Sequence, residues 1–414
     1  MNTPFFSIVI PTRNRYETLL YSIRTVLEQD FSSFELIISD NSDQEICTQR
    51  QFSNEHKDDR RVKYFRPPQV MAMSDHWEFA LSKVSGQFII VFGDDDGLVK
   101  GALSKIYNII QETNARLVSW ARIEYSWPDR QPLEHANLIT IPYNHSTGIV
   151  NSKTYIKKIL SYKADYRYLP MFYNSAVSKE TINLLKQKTG RIFNAASPDI
   201  YTGYAFAHLL KNYISIGQPL SINGVSSKSN GAAHLINDES VKKDYWKTFQ
   251  SSSIKWPTSI PEINNVYLGV IEPFTQLKNY FPELESYISR KEIYKIIIDK
   301  LESIDEDDLK KKKEVILKSA RNDKKFYHWV EKYIQKKNAK YPSAVFNGKS
   351  NEIGFNGANL VLDASKFGLK NVYDVSIFIA DLFGPLKDKN FLKPAELTFT
   401  DRAKKAAGIL LYGV

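Results

Sequence analysis

Short runs of apolar residues, each followed by polar residues, recur through the first hundred positions of the chain. The runs 5–10, 34–38 and 88–92 have the length and the Ile, Val and Phe content of strands buried on both faces. Between the first two runs, segment 16–29 carries apolar residues at the spacing of an amphipathic helix. This alternation of strands and helices with short links predicts an α/β fold with a parallel, doubly wound sheet.

The alternation continues to about residue 216, and a different pattern follows. Between 277 and 337, apolar and charged residues alternate at helical spacing. We therefore expect two domains: an α/β domain over 1–240 and a mainly helical domain over 241–414. The pattern leaves open whether the second domain contacts a substrate, a membrane or another subunit.

Several shorter segments are less clearly determined by their pattern. The pattern of residues 172–177 predicts a strand that crosses the face of the sheet. A helix is predicted to begin at Pro198 and Asp199. The runs 361–363 and 375–383 fit either a strand or a buried helix, because short apolar runs do not distinguish the two.

The composition narrows the class of protein. The chain has 414 residues and a net charge of +10, which favours anionic ligands, nucleic acid or anionic membrane surfaces. We expect no nucleic-acid partner, because no basic-aromatic module of the known binders is present. The single cysteine, Cys47, excludes an internal disulfide and a cysteine-based zinc site.

The sequence also bears on localisation. No apolar run approaches the ~20 residues of a bilayer-spanning helix. The first residues lack the basic and apolar regions of a signal peptide. We therefore expect a cytoplasmic protein that makes, at most, peripheral contact with the inner face of the cytoplasmic membrane.

The strand predicted at 88–92 is followed by Gly93 and three consecutive carboxylates, Asp94, Asp95 and Asp96. Carboxylates at the carboxyl end of a buried parallel strand lie where open α/β sheets bind ligands. Three adjacent carboxylates repel one another unless a cation is bound, and their hard oxygen atoms suit Mg²⁺ or Mn²⁺ shared with a substrate phosphate. Taken alone, the run fits a polar turn leading to a helix N-cap better than a metal site.

Two further polar loops, 11–15 and 40–42, follow predicted strands at the same edge of the sheet. Together with 94–96, they offer what a nucleotide diphosphate requires: polar groups for the base edge and ribose, a metal for the diphosphate and basic side chains. No Gly-x-Gly-x-x-Gly follows the first strand, which excludes a dinucleotide-binding Rossmann fingerprint.

Three motifs now stand in order along the chain. They are Ile-Val-Ile-Pro-Thr-Arg-Asn-Arg at 8–15, Leu-Ile-Ile-Ser-Asp-Asn-Ser at 36–42 and Ser-Gly-Gln-Phe-Ile-Ile-Val-Phe-Gly-Asp-Asp-Asp at 85–96. In this order and spacing they resemble the family 2 glycosyltransferases, whose fold is called GT-A. The resemblance covers residues 5 to about 100 closely and extends loosely to about 215. It implies a doubly wound, mostly parallel sheet flanked by helices, with Mn²⁺ or Mg²⁺ as cofactor.

The resemblance implies roles for individual residues. Asp95 matches the family's main metal ligand, Asp94 faces the donor ribose or the water shell of the metal, and Asp96 lies in a supporting position. The implied metal set is thus Asp94, Asp95 and Asp96. The implied donor-binding set, in which Asp40 contacts the base or ribose, is Pro11, Thr12, Asn14, Arg15, Asp40 and Asp94.

Two positions depart from the family pattern. Gly93 occupies the place of the first Asp of the family's metal motif. Asp75-His76-Trp77 stands where many members have Ala-Arg-Asn, so that Arg13 or Arg15 is expected to neutralise the diphosphate instead.

The resemblance also implies a catalytic base at the start of a helix, roughly a hundred residues after the metal motif. Pro198 and Asp199 lie there, in place of the family's usual Glu-Asp, so Asp199 is the candidate base. Without the resemblance, an ordinary first-turn Asp would be the simpler interpretation. His234 is a weaker candidate for metal or diphosphate contact, because a lone His is more often a surface residue.

The implied function is an inverting, metal-dependent glycosyltransferase. It would move a sugar from a nucleotide-diphosphate sugar, with a UDP-sugar as the expected donor, to a hydroxyl of a saccharide or lipid-linked saccharide. Bacterial surface polysaccharide assembly is the implied setting. A nucleotidyltransferase on the same fold and a non-catalytic carbohydrate-binding or assembly scaffold remain as alternatives. The sugar, the base, the acceptor, the linkage and the oligomeric state are left open.

Overall fold

The computed structural model describes residues 3–43, 59–143, 147–229, 254–263, 265–301, 303, 305–337, 353–356 and 359–383. Its strands are β1 (Phe6–Thr12), β2 (Phe34–Asp40), β3 (Val62–Phe65), β4 (Phe88–Val91), β5 (Gly97–Leu98), β6 (Leu117–Ser126), β7 (Leu138–Pro142), β8 (Gly148–Asn151), β9 (Ser175–Ser178), β10 (Asn212–Val225), β11 (Gly354–Asn356) and β12 (Asn359–Asp363). Its α-helices are α1 (Tyr16–Leu27), α2 (Met73–Leu81), α3 (Ala102–Thr113), α4 (Ser152–Leu160), α5 (Lys179–Thr189), α6 (Pro198–Leu210), α7 (Val266–Lys278), α8 (Arg290–Asp299), α9 (Glu306–Ala320), α10 (Lys324–Lys336) and α11 (Val372–Phe383).

The first strands form a parallel sheet. β1 lies between β2 and β4 and pairs in parallel with both, and β3 extends the parallel order beyond β2. In this register Thr12 is opposite Asp40, so that β1 and β2 end side by side. The parallel sheet expected from the alternation of strands and helices is confirmed.

The central strands are buried on both faces, as their continuous apolar runs predicted. Val9 and Ile37 point into one apolar core, which α2, α4 and α6 cover. Ile8, Ile38 and Ile90 point into a second core on the opposite face, where α1 and α3 pack. Helices on both faces make the sheet doubly wound.

The segment 172–177 differs from the expectation of a strand crossing the sheet face. Phe172–Asn174 forms a 3₁₀ turn, and β9 lies within the sheet, antiparallel between β4 and β6. A short apolar run has the same pattern in either placement, because its pairing partner is not encoded locally. β10 completes this side of the sheet, parallel to β6 and antiparallel to β5 and β8.

The described residues after 254 are mainly helical up to α10, and α7 packs along α6. Of the two ambiguous runs, 361–363 lies in β12, antiparallel to β7, and 375–383 lies in α11, which packs on α1 and β5. The predicted boundary at residue 240 falls outside the described residues, so the division into 1–240 and 241–414 stays a prediction. Within the described ranges, no helix combines the length and apolar character needed to cross a bilayer.

Candidate active site

The loops that follow β1, β2 and β4 meet at one edge of the sheet, because parallel strands end on the same side. Thr12, at the end of β1, donates from its Oγ1 to Asp94 Oδ2 at 2.6 Å, and the main-chain N–H of Arg13 points to the same oxygen at 3.4 Å. The convergence expected for the loops 11–15 and 94–96 is therefore present, with Pro11 buried in the strand beneath them.

The loops after β1 and β2 are joined by Asn14. Its backbone adopts a left-handed conformation with φ of 58°, which Asn tolerates better than most residues. The Asn14 side chain donates to Asp43 Oδ2 at 2.9 Å and accepts from the Asp43 main-chain N–H at 3.1 Å. The Asn14 N–H also donates to Ser42 Oγ at 2.8 Å. Asn14 thus fixes the shape of the loop expected to bind a donor.

Asp94 and Asp95 share one cation, the guanidinium of Arg15. Arg15 Nη1 lies 3.1 Å from Asp94 Oδ1 and 3.4 Å from Asp95 Oδ2. All three side chains are largely buried, with Arg15 only 15% exposed. Burial opposes the charge of Arg15, but the two carboxylates outweigh it and raise its pKa above the usual value. The pair of carboxylates is therefore arranged to hold a cation between them.

Residues far along the chain also hold Asp95. Ser226 Oγ donates to Asp95 Oδ2 at 2.7 Å, and the hydroxyl of Ser229 donates to the same oxygen. Trp127 Nε1 donates to the main-chain oxygen of Asp95 at 3.0 Å. The ends of β6 and β10 thus fix the turn that carries the carboxylates. Sequence reasoning missed these contacts, since nothing in the local pattern links 226–229 to Asp95.

Asp96 has a different environment from its two neighbours. Its carboxylate accepts from the main-chain N–H groups of Gly93 and Gly224, both at 2.7 Å. Burial and the adjacent charge of Asp95 raise the pKa of Asp96 to about 8. The prediction grouped Asp94, Asp95 and Asp96 as metal ligands, but the structure directs Asp96 into the turn.

Within the described ranges, no group of three His, Cys, Asp or Glu residues is arranged to hold a metal. Of the three predicted metal ligands, Asp94 and Asp95 share Arg15, and the metal set stays a prediction. Gly93 lies close to the side chains of Asp95 and Asp96. A Cβ at this position would lie only 3.1 Å from Asp95 Oδ1 and from Asp96 Oδ2. A side chain at position 93 would therefore require the carboxylates of Asp95 and Asp96 to shift by a few tenths of an ångström.

Asp40, the candidate for contact with a base or ribose, is fully buried and bonded within the protein. Its Oδ2 accepts from Tyr64 Oη at 2.5 Å and from Arg66 Nη1 at 2.9 Å. Its Oδ1 accepts from the main-chain N–H of Ser42 at 2.9 Å. Tyr64 and Arg66, which the sequence did not single out, thus belong to the same corner of the site.

The three residues that depart from the family pattern at 75–77 all make contacts within the protein. Asp75 forms an ion pair with Arg191 at 2.7 Å. His76 Nε2 lies 2.9 Å from Ser39 Oγ, and burial lowers the pKa of His76 to about 4. Trp77 lies in the core between Tyr173 and other aromatic rings. Of the two arginines expected to replace a diphosphate-binding Arg, Arg15 faces the carboxylate pair, whereas Arg13 bonds Asp43 near the surface.

Asp199 lies in the first turn of α6, directly after Pro198, as the sequence predicted for a helix start. Its side chain is half-buried. Burial raises the pKa of Asp199 above its usual value, while the main-chain N–H of Ile200 and the charge of Arg122 oppose the rise. A carboxyl with a raised pKa is a stronger base than an ordinary Asp, which suits it to proton transfer.

Arg122 and Tyr173 connect the two ends of the site electrostatically. The charge of Arg122 lowers the pKa of Asp199 and also that of Asp96. After burial, Asp199 and Asp96 are the groups that most strongly raise the pKa of Tyr173. Arg122 is partly buried and has no ion-pair partner among the described residues. Sequence reasoning missed both residues, although an Arg inside the apolar run of β6 was a visible signal.

A carboxylate pair that shares a cation and a separate carboxyl, Asp199, thus both lie within electrostatic range of Tyr173. Such a set can stabilise an anionic leaving group at one end and deprotonate a nucleophile at the other. His234 lies outside the described residues.

Residues 7–173 match the family described as glycosyl transferase family 2. The chain is 33% identical over 122 residues to the GalNAc(5)-diNAcBac-PP-undecaprenol beta-1,3-glucosyltransferase of Campylobacter jejuni, a match that covers 29% of this chain and 39% of that protein. An uncharacterized glycosyltransferase of Rickettsia bellii is 30% identical over 109 residues, covering 26% of this chain and 15% of that protein. The match spans well under half the length of these curated relatives.

Among solved structures, S. aureus TarS 1–349 in complex with UDP-GlcNAc has a TM-score of 0.47 and 11% sequence identity, covering 80% of this chain and 88% of that one. A longer S. aureus TarS structure has a TM-score of 0.45 and 15% identity, covering 79% and 55%. The family match and the doubly wound sheet, which is parallel over β1–β4 and mixed in its other strands, together confirm the expected GT-A class of fold, followed by a mainly helical part.

Proposed function

We propose that the chain, whose residues 7–173 match the family described as glycosyl transferase family 2, transfers a sugar, with inversion, from a nucleotide-diphosphate sugar to an acceptor hydroxyl. The observation that carries the proposal is that the cation shared by Asp94 and Asp95 and the separate carboxyl of Asp199 lie on either side of Tyr173, on which Asp95, Asp96 and Asp199 all act electrostatically. Sugar transfer from such a donor needs both ends, one for the diphosphate and one for the acceptor proton.

The carboxylate pair fits the divalent cation that the family implies. Asp94 and Asp95 already direct one oxygen each to a single positive group, Arg15 Nη1. Mg²⁺ and related ions are commonly held by one or two carboxylates together with substrate phosphates, so a third protein carboxylate is not required. Mn²⁺ or Mg²⁺ held by Asp94 and Asp95 would offset the negative charge of the diphosphate.

Asp199 acts as the general base in this proposal. It takes the proton of the acceptor hydroxyl as the acceptor oxygen forms a bond to the anomeric carbon. The bond between that carbon and the diphosphate oxygen breaks in the same displacement, and the nucleoside diphosphate leaves with the electron pair. The raised pKa of Asp199 makes it a stronger base than an ordinary Asp.

The loops after β1 and β2 are the proposed donor site. Thr12 and Asn14 shape the first loop, and Asp40 with Arg66 forms the corner in which a base or ribose would lie. We expect the donor to be a UDP-sugar, and the binding of GDP-sugars should be measured for comparison. The Pro11–Arg15 loop contains no glycine, which disfavours a nucleotidyltransferase.

The proposed acceptor is a saccharide or lipid-linked saccharide of bacterial surface-polysaccharide assembly. The Campylobacter relative is named for a PP-undecaprenol-linked glycan, which supports the lipid-linked alternative. A net charge of +10 would favour contact with an anionic membrane surface. We therefore propose a cytoplasmic enzyme that acts at the inner face of the membrane.

Donor binding by calorimetry tests the proposal. UDP, GDP and their common sugars are titrated with and without Mn²⁺ into the wild type, Asp95→Ala and the control Asp30→Ala. Asp30 is exposed and accepts from Ser104, and it makes no contact with Asp94 or Asp95 among the described residues. We expect one nucleotide to bind in a manner that requires both the metal and Asp95, with Asp30→Ala unchanged. If no nucleotide binds with or without Mn²⁺, the transferase proposal fails in favour of a scaffold.

A further inference from the structure

The main chain just before α6 is held from two directions. Ser74 Oγ, on α2, donates to the main-chain oxygen of Ala195 at 2.9 Å. Glu272, on α7, accepts from the main-chain N–H of Ala196 through its Oε2 at 3.2 Å. Asp199 follows within the first turn of α6, so the orientation of its carboxyl depends on where this segment lies.

Glu272 is a buried carboxyl in an otherwise apolar environment. Its side chain is 1% exposed, and burial raises its pKa to about 7. Its second oxygen, Oε1, accepts from Gln276 Nε2 at 3.0 Å, and that amide also donates to the main-chain oxygen of Lys255 at 2.7 Å. Gln276 thus orients Glu272 towards Ala196.

If position 272 served packing alone, an apolar residue there would stabilise the fold more than a buried carboxyl. The neighbouring core residues of α7, including Ile271 and Phe274, are fully buried and apolar. Burying a carboxyl among them is unfavourable unless its hydrogen bonds matter, and its hydrogen bonds here go to Ala196 and Gln276. The arrangement therefore joins the helical part of the chain to the segment that carries Asp199.

We propose that Glu272 is a positioning residue, which fixes the main chain at Ala196 and so holds the Asp199 carboxyl in the geometry for proton transfer. The inference rests on the proposed role of Asp199 as base. It gives α7 a part in the reaction although α7 does not line the donor loops. Donor binding should be independent of Glu272, because Asp94 and Asp95 are held by other contacts.

The test compares three substitutions on α7. Glu272→Met removes the acceptor at similar volume, and Glu272→Gln keeps an oxygen that can accept from Ala196. Thr275→Val is the matched control, because Thr275 is buried on the same helix and its hydroxyl bonds Ile271 of that helix at 2.9 Å. For each protein we measure amide hydrogen exchange of peptides spanning 193–203, UDP affinity with Mn²⁺, and kcat for UDP release from UDP-N-acetylglucosamine and UDP-glucose.

For Glu272→Met we expect faster exchange over 193–203, UDP affinity within about twofold of the wild type, and kcat lowered by roughly 100-fold, as for a reacting group misplaced by about 1 Å. Glu272→Gln and Thr275→Val should resemble the wild type. Gln276→Leu should give the same pattern more weakly, which keeps the test decisive if Glu272→Met does not fold.

The inference is overturned if Glu272→Met has the kcat of Thr275→Val, or if exchange over 193–203 does not change. A loss of UDP affinity equal to the loss of kcat would also overturn it, since that result indicates a general structural role. If the wild type releases no UDP from either sugar nucleotide, these donors are not substrates and the proposed function is weakened. The hydrogen-exchange data would still decide whether Glu272 fixes the segment before α6.

Discussion

Arg15 lies between Asp94 and Asp95, in the place that a divalent cation would share with them. A guanidinium and a metal ion cannot both lie within a few ångströms of this pair without strong repulsion. Metal binding should therefore displace Arg15. His76, which stands where many members of the resembled family have Arg, is buried against Ser39 of β2. We therefore expect the displaced Arg15 to neutralise the diphosphate instead.

This exchange of cations leads to a prediction for Arg15→Gln. Without nucleotide, Mn²⁺ should bind the variant about tenfold more tightly than the wild type, about 1.4 kcal/mol, because the competing charge is gone. With Mn²⁺ present, UDP should bind the variant more weakly, because a phosphate-binding cation is lost. Calorimetry and the electron paramagnetic resonance of free Mn²⁺ measure the two effects.

Arg13→Gln is the control, since Arg13 bonds Asp43 near the surface and should leave Mn²⁺ binding without nucleotide unchanged. Equal affinity of wild type and Arg15→Gln for Mn²⁺ alone would contradict the exchange.

Asp199 and Arg122 together predict a pH dependence. The base must be ionised, so kcat should fall as pH falls through the raised pKa of Asp199. Arg122 lowers that pKa, so Arg122→Gln should move the acid limb of the kcat profile to higher pH, whereas Arg122→Lys keeps the charge and should leave it nearly unmoved. Tyr166 and Tyr173 stay neutral in this range, because burial raises their pKa values.

The measurement is kcat against pH for the wild type and both variants, at saturating donor. An acid limb that stays in the same place in Arg122→Gln would show that Asp199 is not the group that titrates.

At the scale of elements, the sequence correctly predicted the strands and helices that a local pattern of residues encodes. The apolar runs defined β1, β2 and β4, and the parallel order brought the loops that follow them together at one edge. The start of α6 at Pro198 was predicted as well, because Pro is favoured in the first turn of a helix. These features depend on neighbours in sequence or on general rules of sheet topology.

Contacts between distant segments could not be predicted from the sequence. The direction of β9, the bonds from Ser226 and Ser229 to Asp95, and the bond from Glu272 to Ala196 all depend on which elements meet in space. Residue types do not carry that information, because the polar group of a Ser or a Glu has many possible hydrogen-bond partners.

Gly224 shows how such a long-range contact constrains a single residue. A Cβ at Gly224 would lie 1.7 Å from the main-chain oxygen of Asp95. β10 must therefore carry a glycine where it passes the turn, so that Gly224 can donate to Asp96 and the turn can hold its carboxylates. The sequence alone did not single out this glycine.

At the scale of the whole molecule, the segment 353–383 returns to the sheet of the N-terminal half. β12 pairs with β7, and α11 covers an apolar core that includes Tyr125, Ile139 and Ile141. Ser376 Oγ donates to the main-chain oxygen of Leu98 at 2.8 Å, beside the turn that carries the carboxylates. The folding of the proposed donor site should thus depend on a segment that the sequence left ambiguous between strand and helix.

Ile379→Ala tests this dependence. Ile379 is 2% exposed in the core beneath α11, so the substitution should lower the free energy of unfolding by about 2–5 kcal/mol. If 353–383 unfolds together with the sheet, the transition that abolishes UDP binding should move by the same amount in urea denaturation. Asp381→Ala, at an exposed position of the same helix, should change neither quantity. A mutation within one cooperative unit shifts all probes of that unit together. If Ile379→Ala instead shows a separate transition at lower urea, while UDP binding is lost at the same urea concentration as in the wild type, segment 353–383 unfolds as an independent unit.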